Sequence, residues 1–196
     1  MAELAAALLA PCVAFVDLET TGGNPLTDRI TEVAIIRVTE GLIDFEWSSL
    51  INPERPIPPL ISRVTGISDD MVAHAPTFAE LADEIRDRLS GALFVAHNAR
   101  FDYGFLKNEF RRLEQPFFTQ MLCSVKFSRA LYPQHHRHGL DALIERHGLA
   151  CSARHRALGD ARRAVGEAVG ALDALPPSDA RDALTVLGWH LVERVT

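Results

Sequence analysis

The chain has 196 residues, of which 47% are hydrophobic and 23% are charged, and its formal net charge is −6. This length suits one domain with a sizeable core and a short appendage at most. The composition excludes a disordered or fibrous chain, and no apolar run approaches the ~18 residues that a membrane-spanning helix needs. The three cysteines are far apart and lack CxxC spacing, and the apolar opening stretch has no basic start. We therefore expect no disulfide framework, no zinc site, no targeting peptide and no membrane, but a cytoplasmic protein.

The charge is unevenly distributed along the chain. Residues 126–163 hold eight lysines and arginines against three acidic residues, so this segment carries +5 and the rest −11. Such a segment can present a phosphate-binding face, although positive residues also simply solvate many helices. The histidines of residues 134–138 surround Arg137. We interpret them as a basic loop that touches phosphate rather than as a metal site, because no fixed ligand geometry is implied.

Three strands are predicted near the start of the chain. Residues 12–19 are rich in apolar and β-branched types, and the period of two places Val13, Phe15, Asp17 and Glu19 on one side. Two further strands, joined across residues 39–41 as a hairpin, are predicted at 30–38 and 42–51. Three consecutive strands indicate an antiparallel start to the sheet.

The rest of the chain alternates between helix and strand signals. A proline-rich loop covers 52–59, and Thr77 with Glu80 has the spacing of a capping box that opens a helix. A buried strand follows, and then more helices; the predicted ranges are 93–97 for the strand and 101–113, 140–147 and 157–172 for the helices. We therefore expect a mixed α/β sheet flanked by helices, with one domain over 1–172 and a short helical tail over 173–196.

Three acidic motifs carry the candidate chemistry. Asp17 and Glu19 stand two apart on a strand, so their carboxylates project from the same face. Asp102 lies where a buried strand gives way to a helix. Each has an ordinary alternative, because a strand-end pair can cap a loop and an acidic residue is favoured in a helix's first turn.

His155 and Asp160 form the third motif, HRALGD. Five residues along a continuous helix turn by roughly 140°, which would point the two side chains apart. His155 must therefore lie on a loop before the helix if both face one site. A lone surface histidine is the alternative.

The combined pattern resembles the DnaQ-like, or DEDDh, family of 3′ to 5′ exonucleases, whose members include the epsilon proofreading subunit of bacterial DNA polymerase III. The resemblance covers roughly residues 12–172 and rests on VDLETTG at 16–22, HNARFD at 97–102 and HRALGD at 155–160, with VTGISDDMV at 64–72 between the first two. Three motifs in this order are far more specific than one Asp-x-Glu. The resemblance implies a ribonuclease H-like fold, that is, a five-stranded mixed sheet whose first three strands are antiparallel.

The resemblance also implies roles for individual residues. Two divalent cations would be held by four carboxylates: Asp17, Glu19, Asp102 and Asp160. His155 would be the general base. The terminal nucleotide would be contacted by Thr20, Val64 and Thr65. Oxygen-only ligands favour Mg²⁺ or Mn²⁺ over zinc.

The expected function is hydrolysis at the 3′ end of DNA, with release of nucleoside 5′-monophosphates, in replication proofreading or repair. Single-stranded 3′ ends are the expected substrate, and a DNA polymerase subunit is a candidate partner. Two alternatives stay open: an exoribonuclease with the same chemistry, because readout of the 2′ hydroxyl is not legible in the sequence, and an inactive nucleic-acid-binding scaffold.

Overall fold

The computed structural model describes residues 12–39 and 42–147. Within these residues one sheet is formed by five strands: β1 Cys12–Thr20, β2 Ile30–Thr39, β3 Leu42–Leu50, β4 Leu93–Ala96 and β5 Met121–Cys123. The strand order is β3-β2-β1-β4-β5. The first three strands are antiparallel, β4 is parallel to β1, and β5 is parallel to β4. The predicted mixed sheet with an antiparallel start is confirmed.

Helices connect and cover the strands. The described residues form α1 Pro59–Thr65, α2 Asp69–Val72, α3 Phe78–Leu89, α4 Arg100–Arg112, α5 Ser124–Leu131 and α6 Leu140–His147. Over the same part of the chain, no helix combines the length and apolar character that crossing a membrane would require.

The central strand β1 is buried on both faces. Ala14, Val16 and Leu18 face the main hydrophobic core, where they meet apolar side chains of α3 and α4, with Ile85 and Phe105 fully buried. By the period of two, the alternate residues of β1 face the other way, and those near its start are also buried. The last two alternate residues are Asp17 and Glu19. The fold thus places two carboxylates on a strand whose neighbours along the same face are apolar.

Most predicted boundaries agree with the structure within one or two residues. The hairpin is confirmed, because β2 and β3 pair as far as Thr39 opposite Leu42. The assignment of Pro59 to a loop was wrong: proline is tolerated at the first position of a helix, and α1 begins there. The short elements α1, α2, α5 and β5 were not recognised from sequence. The predicted helix at 157–172, the tail and the domain boundary lie outside the described residues.

The capping box at the start of α3 is formed as predicted. The Thr77 hydroxyl oxygen accepts a hydrogen bond from the Glu80 backbone N–H at 3.4 Å, and the Glu80 carboxylate accepts one from the Thr77 N–H at 2.7 Å. These bonds with the Thr77 backbone and side chain lower the pKa of Glu80. The box satisfies two backbone groups that the helix itself leaves unpaired.

Replacing Thr77 by alanine removes the side-chain acceptor, so we expect Thr77→Ala to lower the free energy of unfolding by about 1 kcal/mol. Thr77→Ser keeps the hydroxyl and should unfold close to wild type. Equilibrium urea denaturation measures the difference, and equal stability of the alanine and serine variants would contradict the assigned cap.

Candidate active site

The site lies where β1 extends beyond its parallel neighbour. The pairing of β1 with β4 ends at Phe15 opposite Val95, whereas β1 continues to Thr20 alongside β2. In the described sheet, the last five residues of β1 therefore have no strand on the β4 side. Their backbone N–H groups on that side need other partners, because a buried unpaired backbone group is costly. This carboxyl end is also where open α/β sheets usually build their sites.

Asp102 reaches this edge from α4. Asn98 adopts a left-handed conformation (φ 64°) that asparagine tolerates, and the chain turns there from β4 into α4. The turn places Asp102 in the first turn of the helix, where it is only 3% exposed. Its carboxylate accepts hydrogen bonds from its own backbone N–H and from that of Leu18 on β1. Asp102 thus occupies the edge that β4 leaves open.

Glu19 is close enough to Asp102 to influence its ionisation. Burial first, and the negative charge of Glu19 to a smaller extent, raise the pKa of Asp102, and with the two backbone hydrogen bonds acting in the opposite direction this pKa is about 8. Asp17 and Glu19 are half-buried, and both make polar contacts of their own. The structure therefore places Asp102 near Glu19, and the metal-holding role of these carboxylates stays a prediction.

A further carboxylate on this edge was missed in the sequence. Glu32 of β2 lies directly opposite Glu19 in the strand register and is 3% exposed. The register shifts between Glu19 and Thr20, which marks a β-bulge of the kind often found beside active sites. The signal in the sequence was a lone acidic residue inside the apolar strand at 30–38. Like charges directly opposite each other are unfavourable, so this edge favours a cation.

The donor chemistry fits divalent cations, but the described residues do not supply a complete ligand set. Among residues 12–39 and 42–147, no three carboxylate, imidazole or thiolate groups form a cluster that could hold a metal ion. All the acidic donors at this edge are oxygens, which suit Mg²⁺ or Mn²⁺. Asp102 also carries a proton up to about pH 8, which a bound dication would displace. His155 and Asp160 lie outside the described residues.

The three predicted nucleotide contacts differ in exposure. Val64 of α1 is 49% exposed, whereas Thr20 and Thr65 are each only 7% exposed. The Thr20 hydroxyl donates to the Gly22 carbonyl at 2.6 Å, and the Thr65 hydroxyl donates to the Ile61 carbonyl at 3.1 Å. The threonine hydroxyls thus order local backbone, and Val64 alone of the three presents a largely open side chain.

The histidine-rich loop is only partly a surface feature. The prediction that the cluster at 134–138 touches phosphate was wrong for His138, which is buried. Its ring nitrogens bond to the Ser128 hydroxyl at 2.9 Å and to the His135 carbonyl at 2.8 Å, so it anchors the loop to α5. His135 and His136 remain exposed. Burial of one imidazole depends on α5, a helix that sequence reasoning did not recognise.

His97 lies beside the same edge. It directly follows β4, and its Nδ1 lies 3.0 Å from the hydroxyl of Ser124, the buried first residue of α5. This contact fixes one ring nitrogen of a histidine next to the turn that leads to Asp102. The tautomer follows from whether the serine donates or accepts.

A mixed sheet in this strand order is that of the ribonuclease H-like fold. A family model described as an exonuclease (RNase_T) matches residues 14–168. The chain belongs to the DnaQ-like, or DEDDh, exonuclease family, a family of enzymes that hydrolyse nucleic acid.

Two curated relatives are similar to this chain over part of their own length. A DNA polymerase III subunit epsilon-like protein of Rhodobacter capsulatus is 38% identical over 182 residues, which cover 90% of this chain and 25% of that protein. The 3′-5′ exonuclease DinG of Staphylococcus saprophyticus is 36% identical over 152 residues, which cover 77% of this chain and 17% of that protein. The chain thus spans a quarter or less of the length of these relatives.

Two solved structures share the fold. Exonuclease X in complex with 5′ overhanging duplex DNA has a TM-score of 0.65 and 25% identity, with coverage of 90% of this chain and 99% of that one. The nuclease domain of 3′hExo, a DEDDh family member bound to rAMP, has a TM-score of 0.68 and 19% identity, with coverage of 79% and 88%. The first of these similarities extends over almost the whole of both chains.

The raised pKa of Asp102 predicts how stability depends on pH when a chelator is present. The pKa rises from 3.8 in the unfolded chain to about 8 in the fold, so the folded state keeps its proton longer. This contribution to stability is fully present below the unfolded value and is lost as the pH rises through about 8. Asp102→Asn stays neutral and can still accept the Leu18 N–H. We expect it to be more stable than wild type above that pH, by more than about 1 kcal/mol.

Chemical denaturation in chelator at about pH 5 and about pH 9 measures this difference. Asp83→Asn, an exposed carboxylate on α3, is the control and should follow the wild-type curve at both values. Parallel pH curves for wild type and Asp102→Asn would show that Asp102 does not retain a proton in the fold.

Proposed function

We propose that this chain is a metal-dependent exonuclease that removes nucleotides one at a time from the 3′ end of DNA and releases nucleoside 5′-monophosphates. The observation that carries the proposal is the buried carboxylate of Asp102, held against β1 beside Glu19 in a chain of the exonuclease family. A buried acidic edge would repel a phosphodiester by itself, whereas bound dications would neutralise it. The 3′ to 5′ direction is supported by the name of the DinG relative.

We assign the metal-holding role to four carboxylates: Asp17, Glu19, Asp102 and Asp160. Two divalent cations, when bound, would supply Lewis acidity that favours a hydroxide-like nucleophile and offsets charge on the leaving 3′ oxygen. His155 would take the proton of the attacking water as general base. Thr20, Val64 and Thr65 would orient the terminal nucleotide, with Val64 offering an apolar surface to its base.

DNA is the proposed substrate for two reasons. The chain aligns along almost its whole length with an exonuclease described in complex with duplex DNA, and a relative carries the name of a DNA polymerase III epsilon-like subunit. That relative also supports a polymerase subunit as a candidate partner. RNA is the second candidate, because the same fold holds rAMP in 3′hExo.

The direct test is degradation of matched single-stranded DNA and RNA oligonucleotides labelled at the 5′ end. With Mg²⁺ or Mn²⁺ we expect a ladder that shortens from the 3′ end, faster on DNA, and no cleavage in chelator. Faster digestion of RNA would transfer the proposal to the exoribonuclease. Absence of cleavage on both substrates would favour the scaffold alternative.

The proposed general base has its own prediction. His155→Ala should lower kcat by ~10²- to 10⁴-fold, the usual range for a positioned base, and leave the thermal unfolding midpoint unchanged. Asp17→Ala should abolish the activity more completely, because it removes a proposed metal ligand. Single-turnover rates at saturating Mn²⁺ compare the two variants. Turnover near wild type in His155→Ala would remove that residue from the mechanism.

A further inference from the structure

The segment that follows β1, residues 21–29 and called the β1 loop below, is closed tightly on itself. Its ends are joined by two hydrogen bonds: the Thr21 N–H donates to the Arg29 carbonyl at 2.8 Å, and the Arg29 N–H donates to the Thr21 hydroxyl at 3.1 Å. Inside it, the Asp28 carboxylate accepts from the Asn24 N–H at 2.8 Å. A Cβ at Gly22 would lie 2.4 Å from that carboxylate, so a larger residue there would displace the Asp28 side chain.

Side chains of α4 form ion pairs and hydrogen bonds with the β1 loop. Glu109 is 1% exposed and pairs with two guanidinium groups, Arg29 at 2.8 Å and Arg112 at 3.2 Å. Arg112 also donates from one nitrogen toward three loop carbonyls at 2.9 to 3.3 Å, those of Pro25, Leu26 and Asp28. Helix α4 thus holds both the charged end and the backbone of the loop.

The loop residue Arg29 pairs with two carboxylates, one of which is Glu109. Arg29 makes a second ion pair with Glu54 at 3.1 Å. Burial by itself would lower the pKa of Arg29, but its hydrogen bonds and charge interactions with Glu109 and Glu54 leave that pKa raised. A buried ion network adds little net stability compared with apolar packing, and its best-attested use is to fix one arrangement of the chain.

The same helix carries Asp102 two turns earlier. Seven residues separate Asp102 from Glu109, which corresponds to nearly two full turns and about 10 Å along the helix axis. Both side chains therefore lie on one face of α4, and both are buried. One face of a single helix thus meets β1 at the acidic edge and meets the loop that leaves it.

The loop in turn is bonded to Thr20. The Thr20 hydroxyl donates to the Gly22 carbonyl at 2.6 Å, so a displacement of the loop displaces the residue next to Glu19. We propose that Glu109 and Arg112 are positioning residues, which fix the β1 loop and thereby set how tightly the 3′-terminal nucleotide is bound. This inference rests on the proposed function, which assigns the terminal nucleotide to Thr20.

Arg112→Ala is the principal test, and Arg111→Ala is the matched control, an exposed arginine one position earlier on the same helix. On 5′-labelled single-stranded DNA with Mn²⁺, we expect Arg112→Ala to raise KM and the inhibition constant of thymidine 5′-monophosphate by about tenfold, with kcat within about twofold, because it removes binding rather than chemistry. Arg112→Lys keeps the ion pair with Glu109 but loses the guanidinium's several donors. Its KM and inhibition constant should therefore lie between those of the wild type and those of Arg112→Ala.

A second measurement reports on the loop without turnover. Hydrogen–deuterium exchange of residues 21–29 should become faster in Arg112→Ala and stay at the wild-type rate in Arg111→Ala, since the loop amides lose their closed arrangement. Calorimetric binding of thymidine 5′-monophosphate with Mn²⁺ should weaken in parallel. Glu109→Gln, which keeps the shape of the side chain, should shift both readouts in the same direction.

The inference is overturned if Arg112→Ala lowers only the thermal unfolding midpoint while KM, nucleotide binding and loop exchange match Arg111→Ala. It is also overturned if the loop exchanges faster but nucleotide binding is unchanged. Failure of the proposed function has a different signature: the wild type would not shorten DNA or RNA, while weaker nucleotide binding and faster loop exchange in Arg112→Ala would still support the positioning role.

Discussion

The acidic edge depends on a difference in length between two parallel strands. In the described sheet, the pairing of β4 with β1 ends at Val95, and β1 runs on to Thr20 beside β2 alone. The backbone N–H groups of β1 on the side without a strand need other hydrogen-bond acceptors. The first turn of α4 supplies one, because the Asp102 carboxylate accepts a hydrogen bond from the Leu18 N–H. A longer β4 would pair with β1 at Leu18, and Asp102 could not then contact β1. The strand mismatch therefore creates the space in which the carboxylates meet.

Placing Asp102 close to Glu19 at this buried edge is electrostatically unfavourable, and the fold only partly offsets that cost. Two backbone donors favour ionisation of Asp102, but burial and the charge of Glu19 outweigh them. The buried Glu32, opposite Glu19, adds a further acidic group to the same edge. Without metal, Asp102 keeps a proton that a free carboxylate would lose. Bound cations would offset the negative charge of these carboxylates. This supports the metal-dependent chemistry that we propose for this member of the exonuclease family.

Helix α4 connects this edge with the rest of the proposed nucleotide site. Asp102 lies in its first turn, and Glu109 and Arg112 follow two to three turns later, where they contact the β1 loop. Neither carboxylate would be tolerated in the interior alone, because an unpaired buried charge is strongly unfavourable. Asp102 finds backbone donors and Glu109 finds arginines. The different partners match different roles: we propose that Asp102 binds a cation, whereas Glu109 is paired with Arg29 and Arg112.

Short-range patterns in the sequence determined much of this protein. The alternation in β1, the β2–β3 hairpin and the Thr77 capping box depend on neighbouring residues and are confirmed. The site roles of Asp17, Glu19, Asp102, His155 and Asp160 stay predictions. Only the tertiary structure decided which distant groups meet. Arg29 and Glu109 stand 80 residues apart, and the buried His138 bonds to Ser128 of α5, a helix that was not predicted. Burial and pairing of polar groups depend on how elements pack, and local periodicity carries no record of that packing.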